Sequence, residues 1–294
     1  MHILITDSGV GGLSVCAYAE RFLRTTSVDQ PVSLTYVNAS PENDFGYNSM
    51  GSRDEKVENF DRFLHIVADR YQPDLIFVAC NTLSVLMADT EFLRENRTPV
   101  RGIVEIGVNR LLHDLRHTPQ SKVVIFGTVT TIEEQTYPEL LKHGGIDEDR
   151  IIAQACPSLA DTISEDRQGS KARQKIREFV GEALDRSTTP AAEFLAYLAC
   201  THYGYRKEFF AETFAKRGIA VQVLNPNEFV ANDLFGSLKQ ELYGSGREGD
   251  IQVEFVTRYR IPETALETIA FFLEPISPRT IKAFQKYTYD PGLF

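Results

Sequence analysis

Two short runs carry cysteines in matching surroundings. Residues 75–82 read Leu-Ile-Phe-Val-Ala-Cys-Asn-Thr, and residues 195–202 read Leu-Ala-Tyr-Leu-Ala-Cys-Thr-His. In each, an apolar run ends in Ala-Cys followed by two polar residues, and Cys80 and Cys200 lie 120 positions apart. A cysteine that only fills a core needs no polar neighbours. Asn81, Thr82, Thr201 and His202 offer hydrogen bonds of the kind that favour a reactive thiolate. Asp7 is a third titratable candidate, because residues 3–12 read Ile-Leu-Ile-Thr-Asp-Ser-Gly-Val-Gly-Gly. That is a strand ending in a carboxylate, then a glycine-rich turn into a helix, whose N–H groups can hold an anion. The turn matches neither a dinucleotide fingerprint nor a P-loop, and the plainer reading of Asp7 is a helix N-cap. His202 reads as a proton partner for Cys200, against the plainer reading of a surface or structural histidine. The other five histidines lack comparable context.

Inverting a carbon centre needs a base on one face and an acid on the other, with the roles exchanged in reverse. Chemically equivalent groups are therefore expected, and thiols suit because their pKa lies nearer neutrality than that of most bases. Asp7 would accompany Cys80 if their strands adjoin, and His202 accompanies Cys200. Backbone N–H groups at Asn81, Thr82 and Thr201 would stabilise a carbanion through the substrate carboxylate. A reading of another class is cysteine-dependent hydrolysis by Cys200 and His202, which needs only one thiol. A phosphatase using Asp7 as nucleophile is disfavoured, because Gly9 stands where a second acid is expected. A binding protein without catalysis would bind its ligand and leave the α-proton in place. No metal site is read: Cys16, Cys80, Cys156 and Cys200 form no CxxC pair and lack zinc-site spacing.

The elements that must position these residues alternate. Strand-like runs fall at 2–6, 32–38, 74–79, 99–104, 121–126, 150–154, 194–199, 220–224 and 251–256, with amphipathic stretches between them. In 54–71, for example, Val57, Phe60, Phe63, Leu64 and Val67 share one helical face. This predicts an α/β fold with mainly parallel sheets flanked by helices, and ligands bound at the carboxyl ends of the strands. The repeated cysteine run predicts one unit used twice, in two pseudo-symmetric lobes: residues 1–98 with 210–294, and 99–209. Polar stretches at 115–121, 164–175 and 244–249 come nearest to linkers, the last reading as a mobile loop.

The balance of 31 Lys+Arg against 41 Asp+Glu gives a net charge of −10, which disfavours nucleic acid as a partner. No apolar run approaches the length needed to cross a bilayer, and the first residues turn polar too soon for a signal peptide. The expected location is cytoplasmic, and the expected partner is a small molecule. A homodimer is among the expected assemblies.

Over nearly its whole length the chain resembles the glutamate racemase family. The motifs that carry this are Asp7-Ser8-Gly9-Val10-Gly11-Gly12-Leu13, Ala79-Cys80-Asn81-Thr82 and Cys200-Thr201-His202-Tyr203. Weaker matches are Glu105-Ile106-Gly107, Gly127-Thr128 with Thr131-Ile132, and Ala155-Cys156-Pro157. The resemblance implies two α/β lobes around a cleft holding the active site, no cofactor, and bacterial supply of D-glutamate for peptidoglycan. It implies proton transfer by Cys80 and Cys200 with Asp7 and His202 assisting, and substrate contacts at Ser8, Asn81, Thr82, Thr131 and Thr201. It also implies that Cys156 is structural and that Cys16 lies in the first helix. The chain departs from the pattern at 38–48. The family carries Gly-Asp-Thr and Pro-Tyr-Gly there, and this chain has Asn38-Ala39-Ser40 and, further on, Gly46-Tyr47-Asn48, placed with the substrate contacts by position. Glu42 and Asp44 in this segment would oppose a second substrate carboxylate. Glu165 stands one position from where the family has a glutamate supporting the histidine; Gly204 replaces a proline and Leu83 an alanine. An alternative substrate for the same thiol pair is therefore aspartate or another amino acid.

Overall fold

The computed structural model describes residues 1–26, 30–42, 46–95, 97–187, 191, 193–236 and 250–294. Asp44 and the stretch 244–249 lie outside the described residues. The chain divides into two compact units, Met1–Ile103 with Asn227–Phe294, and Val104–Pro226. The expected divisions, 98/99 and 209/210, fall elsewhere, because the strand at 221–224 pairs with the one at 193–199 and keeps residues 210–226 in the second unit.

The first unit contains strands β1 (His2–Asp7), β2 (Val32–Asn38), β3 (Leu75–Val78), β4 (Val100–Gly102), β9 (Ile251–Thr257) and β10 (Thr288–Tyr289). Their order is β10-β9-β2-β1-β3-β4, and every pairing is parallel. Helices α1 (Leu13–Thr25), α2 (Arg53–Tyr71), α3 (Asn81–Ser84) and α4 (Glu91–Glu95) belong to it, followed late in the chain by α11 (Pro226–Gly236), α12 (Glu263–Leu273) and α13 (Pro278–Gln285). β1, β2 and β3 are apolar and almost fully buried, as expected of parallel strands covered on both faces. The strand expected at 99–104 is shorter, because Ile103 and Val104 already open the next helix.

α2 shows why such a stretch becomes a helix. Ser52 accepts a hydrogen bond from the Glu55 N–H at 3.1 Å, and Asp54, Glu55 and Arg70 complement the helix dipole. Phe60, Phe63, Leu64 and Val67 are fully buried on the face read from the sequence, while Val57 is only partly covered. They pack in one core with Leu4, Tyr47, Ile76, Cys80 and Leu83. Burying each large side chain stabilises the unit by about 2 kcal/mol.

The second unit contains β5 (Ser121–Gly127), β6 (Ile151–Ala155), β7 (Glu193–Ala199) and β8 (Val221–Leu224), in the order β6-β5-β7-β8 and again all parallel. Its helices are α5 (Ile103–His117), which the division cuts at its first residue, α6 (Val129–Glu133), α7 (Thr136–His143), α8 (Leu159–Glu165), α9 (Ser170–Asp185) and α10 (Lys207–Ala215). The stretch 164–175 joins α8 to α9. The order β6-β5-β7-β8 repeats the β2-β1-β3-β4 core of the first sheet. In each, the chain starts at a central strand, steps to one side, then crosses to the other. The crevice at that reversal is where open parallel sheets bind ligands. Among the described residues no helix is long and apolar enough to cross a membrane.

Candidate active site

In the first unit the reversal lies between β1 and β3, which brings Asp7 and Cys80 to one edge. Their pairing runs to Thr6 and Val78, and the Ala79 N–H extends it by donating to Thr6 O at 2.8 Å. Ser8 and Cys80 therefore meet just past the last pair, with Ser8 Oγ 3.0 Å from Cys80 Sγ. Asp7, Asn81 and Thr82 are buried beside them. Asp7 does not cap α1: the N-cap is Gly12, where a Cβ would lie 2.7 Å from Asp7 Cβ and 2.9 Å from its Oδ2. Glycine is thus what lets the helix start press against this carboxylate.

Burial pushes the Cys80 thiol up to about 12, and the Asp7 carboxylate adds to the shift. Hydrogen bonds from Ser8 and from the Leu83 backbone oppose it. Burial thus favours the protonated thiol over the thiolate, and the thiolate, where it forms, is a strong base. Tyr47 begins a single 3₁₀ turn, Tyr47–Ser49, and is 1% exposed with its ring edge-on to Phe60. Among the described residues its hydroxyl finds no hydrogen-bond partner, and burial together with Cys80 raises its pKa. Leaving a buried hydroxyl unsatisfied is costly. Gly46 is partly buried and Asn48 is exposed.

In the second unit the reversal lies between β5 and β7, whose last pair is Gly127 with Ala199. Cys200 follows, 6% exposed, in the position that Cys80 holds in the first unit. The sequence led us to expect a helix directly behind both cysteines. Behind Cys80 stands the short α3, but Cys200 opens a turn and a 3₁₀ segment, Tyr203–Arg206, before α10 begins. The 3₁₀ form follows from i+3 bonds, Tyr203 N–H to Cys200 O at 3.0 Å and Tyr205 N–H to His202 O at 3.1 Å.

His202 Nδ1 lies 3.9 Å from Cys200 Sγ. Burial pushes the imidazole down to about 4, so it is neutral at neutral pH and can accept or donate through either nitrogen. Thr128 caps α6: its Oγ1 accepts from the Thr131 N–H at 3.2 Å and lies 2.9 Å from Thr131 Oγ1. Thr131 and Thr201 are buried. Cys156 follows β6 on the far side of β5 from Cys200, buried, its thiol raised by burial and its carbonyl accepting from Tyr203 OH at 3.2 Å. Cys16 lies in α1, buried, its thiol pushed up to about 12 by burial. Glu165 is exposed and makes no hydrogen bond or ion pair with His202; burial raises Asp161, and the Glu165 charge adds to that shift.

The register that aligns the two sheets pairs Asp7 with Gly127 and Ser8 with Thr128. One thiol thus has a carboxylate one residue before its neighbouring hydroxyl, where the other has glycine, with a neutral imidazole 3.9 Å away. Sequence reasoning missed Thr128 as the residue that fixes Thr131; the Gly-Thr pair ahead of Thr131 was its signal. Among the described residues no group of three or more His, Cys, Asp or Glu is placed to hold a metal ion.

No known family model matches the chain. It is 30% identical over 205 residues to the glutamate racemase of Sulfurihydrogenibium sp. strain YO3AOP1, covering 69% of this chain and 71% of that one. It is 27% identical over 243 residues to the glutamate racemase of Aquifex pyrophilus, covering 82% and 85%. Among solved structures, glutamate racemase isoform RacE1 from Bacillus anthracis has the same fold, with a TM-score of 0.68 at 21% identity over 92% of this chain and 93% of that one.

Proposed function

The chain belongs to the glutamate racemase family, and from that premise we propose that it interconverts L- and D-glutamate with Cys80 and Cys200 as paired base and acid. The observation that carries this reading is the repeated placement of a buried cysteine after the strand at each sheet's reversal. One thiolate takes the α-proton, leaving a carbanion delocalised into the substrate carboxylate. The other thiol delivers a proton to the opposite face and becomes the thiolate, so the protonation states have exchanged. The substrate's ammonium group would offset the charge that Asp7 places beside Cys80. Neutral His202, 3.9 Å from Cys200 Sγ, is the hydrogen-bond partner that steadies the Cys200 thiolate, and Ser8 donates to the Cys80 thiolate. Substrate is held by Ser8, Gly46, Tyr47, Asn48, Asn81, Thr82, Thr131 and Thr201, with backbone N–H groups bearing the developing carboxylate charge.

No cofactor enters this scheme, since the chain's own titratable groups account for both proton transfers. The reading extends to a cytoplasmic enzyme of a bacterium whose D-glutamate supplies peptidoglycan, with a homodimer as the assembly to test. Incubating the protein with L-glutamate and following the ellipticity tests the activity. Decay toward zero supports it, and decay only with L-aspartate or another amino acid moves the substrate while keeping the thiol pair.

A further inference from the structure

Asn38 is the last residue of β2, fully buried, and stands in register beside Asp7. Both ends of its amide are used. Oδ1 accepts from the Ser40 N–H at 2.9 Å, which assigns the other end as Nδ2, and this donates to the Tyr259 hydroxyl at 2.9 Å. Ser40, 2% exposed, passes the constraint on: its Oγ donates to Glu42 O at 2.9 Å and lies 3.5 Å from where a Cβ on Gly46 would sit. Tyr259 is itself fixed just past β9. Its N–H donates to Thr257 Oγ1 at 3.4 Å, and its carbonyl accepts from that hydroxyl at 3.3 Å. One buried amide thus ties the start of the 38–48 segment to a point 221 residues away in sequence. An alanine or glycine at 38 could make neither bond.

We propose that Asn38 and Tyr259 form a latch that sets Ser40 and, through its contact with Gly46, the Gly46–Asn48 turn, making both positioning residues for substrate binding there. The proposal rests on the functional reading given above. Neither latch residue is needed for proton transfer, so the latch acts on how well the amino acid is held rather than on the chemical step. This separates it from a fold-wide role, which would lower the amount of active protein and leave KM alone.

The test compares wild type with Tyr259→Phe, Asn38→Ala and the double variant, all full-length. Tyr259→Phe removes a single oxygen and keeps the ring. KM for glutamate should rise about five- to tenfold in each single variant, the weight of one buried hydrogen bond, with kcat within about twofold. The double variant should be no worse than Asn38→Ala alone, because both changes break the same link. Hydrogen exchange read by mass spectrometry should quicken in peptides covering 46–50 and stay unchanged in β1 and β3. Unchanged KM in Tyr259→Phe overturns the proposal, and so does quickened exchange spread evenly through the first unit. Should the wild type fail to racemise glutamate, the functional reading falls, and the exchange comparison then decides by itself whether the latch holds the segment.

Discussion

Ser8 Oγ and Cys80 Sγ lie 3.0 Å apart across the join of two neighbouring parallel strands, on residues 72 positions apart in sequence. Because burial and Asp7 both push this thiol up, the hydroxyl is one of few groups that pull it down. Ser8→Ala should therefore raise the thiol pKa further and cut kcat by about 10- to 100-fold, the weight of a hydrogen bond to a charged group. The pH dependence of Cys80 alkylation reads the shift; an unmoved or lowered profile would contradict this role for Ser8.

Cys80→Ser and Cys200→Ser should each lower racemisation by about 10³-fold, since each removes one of two proton-transfer groups. A hydrolase built on Cys200 and His202 would lose activity only in the second variant. Assaying both variants for racemisation and for ester hydrolysis separates the two chemistries.

The His202 imidazole titrates at about 4 in the folded protein against an ordinary 6.5. The unfolded chain therefore binds this proton first as pH falls, and the stability that neutral His202 contributes is lost between about pH 6.5 and 4. Wild type should lose more Tm between pH 7.5 and 5 than His202→Asn does. Equal losses would place this imidazole near its ordinary pKa.

Gly12→Ala puts a methyl group 2.7 Å from Asp7 Cβ, and neither the strand end nor the helix start has room to yield freely. The variant should lose about 1–3 kcal/mol of stability by overpacking. It should also lose about tenfold or more in kcat, as the carboxylate beside Cys80 moves. Wild-type Tm with wild-type kcat would show that this close approach is not needed.

The parallel α/β architecture was legible because its strands are apolar runs that must be buried on both faces, and nine of them could be read from that signal alone. β10 is two exposed residues, Thr288–Tyr289, with no apolar run to announce it. The strand expected at 99–104 ran long because Ile103 and Val104 are as apolar as a strand but face the core from a helix. Around the candidate site, Cys80 and Cys200 announced themselves by shared context. The partner of Asn38 did not: Tyr259 is brought there by β9 joining β2 as a neighbour, a pairing that no local pattern encodes. The same holds for Tyr47, whose hydroxyl is notable only because the surrounding core leaves it unpaired.

The most direct test of the two-thiol account is α-proton exchange in D₂O, with L-glutamate as substrate and both cysteines kept reduced. The account predicts deuterium at the α-carbon of both enantiomers while the ellipticity decays to zero, and loss of both signals in Cys80→Ser. No α-deuterium in glutamate or in any other amino acid tried would contradict it.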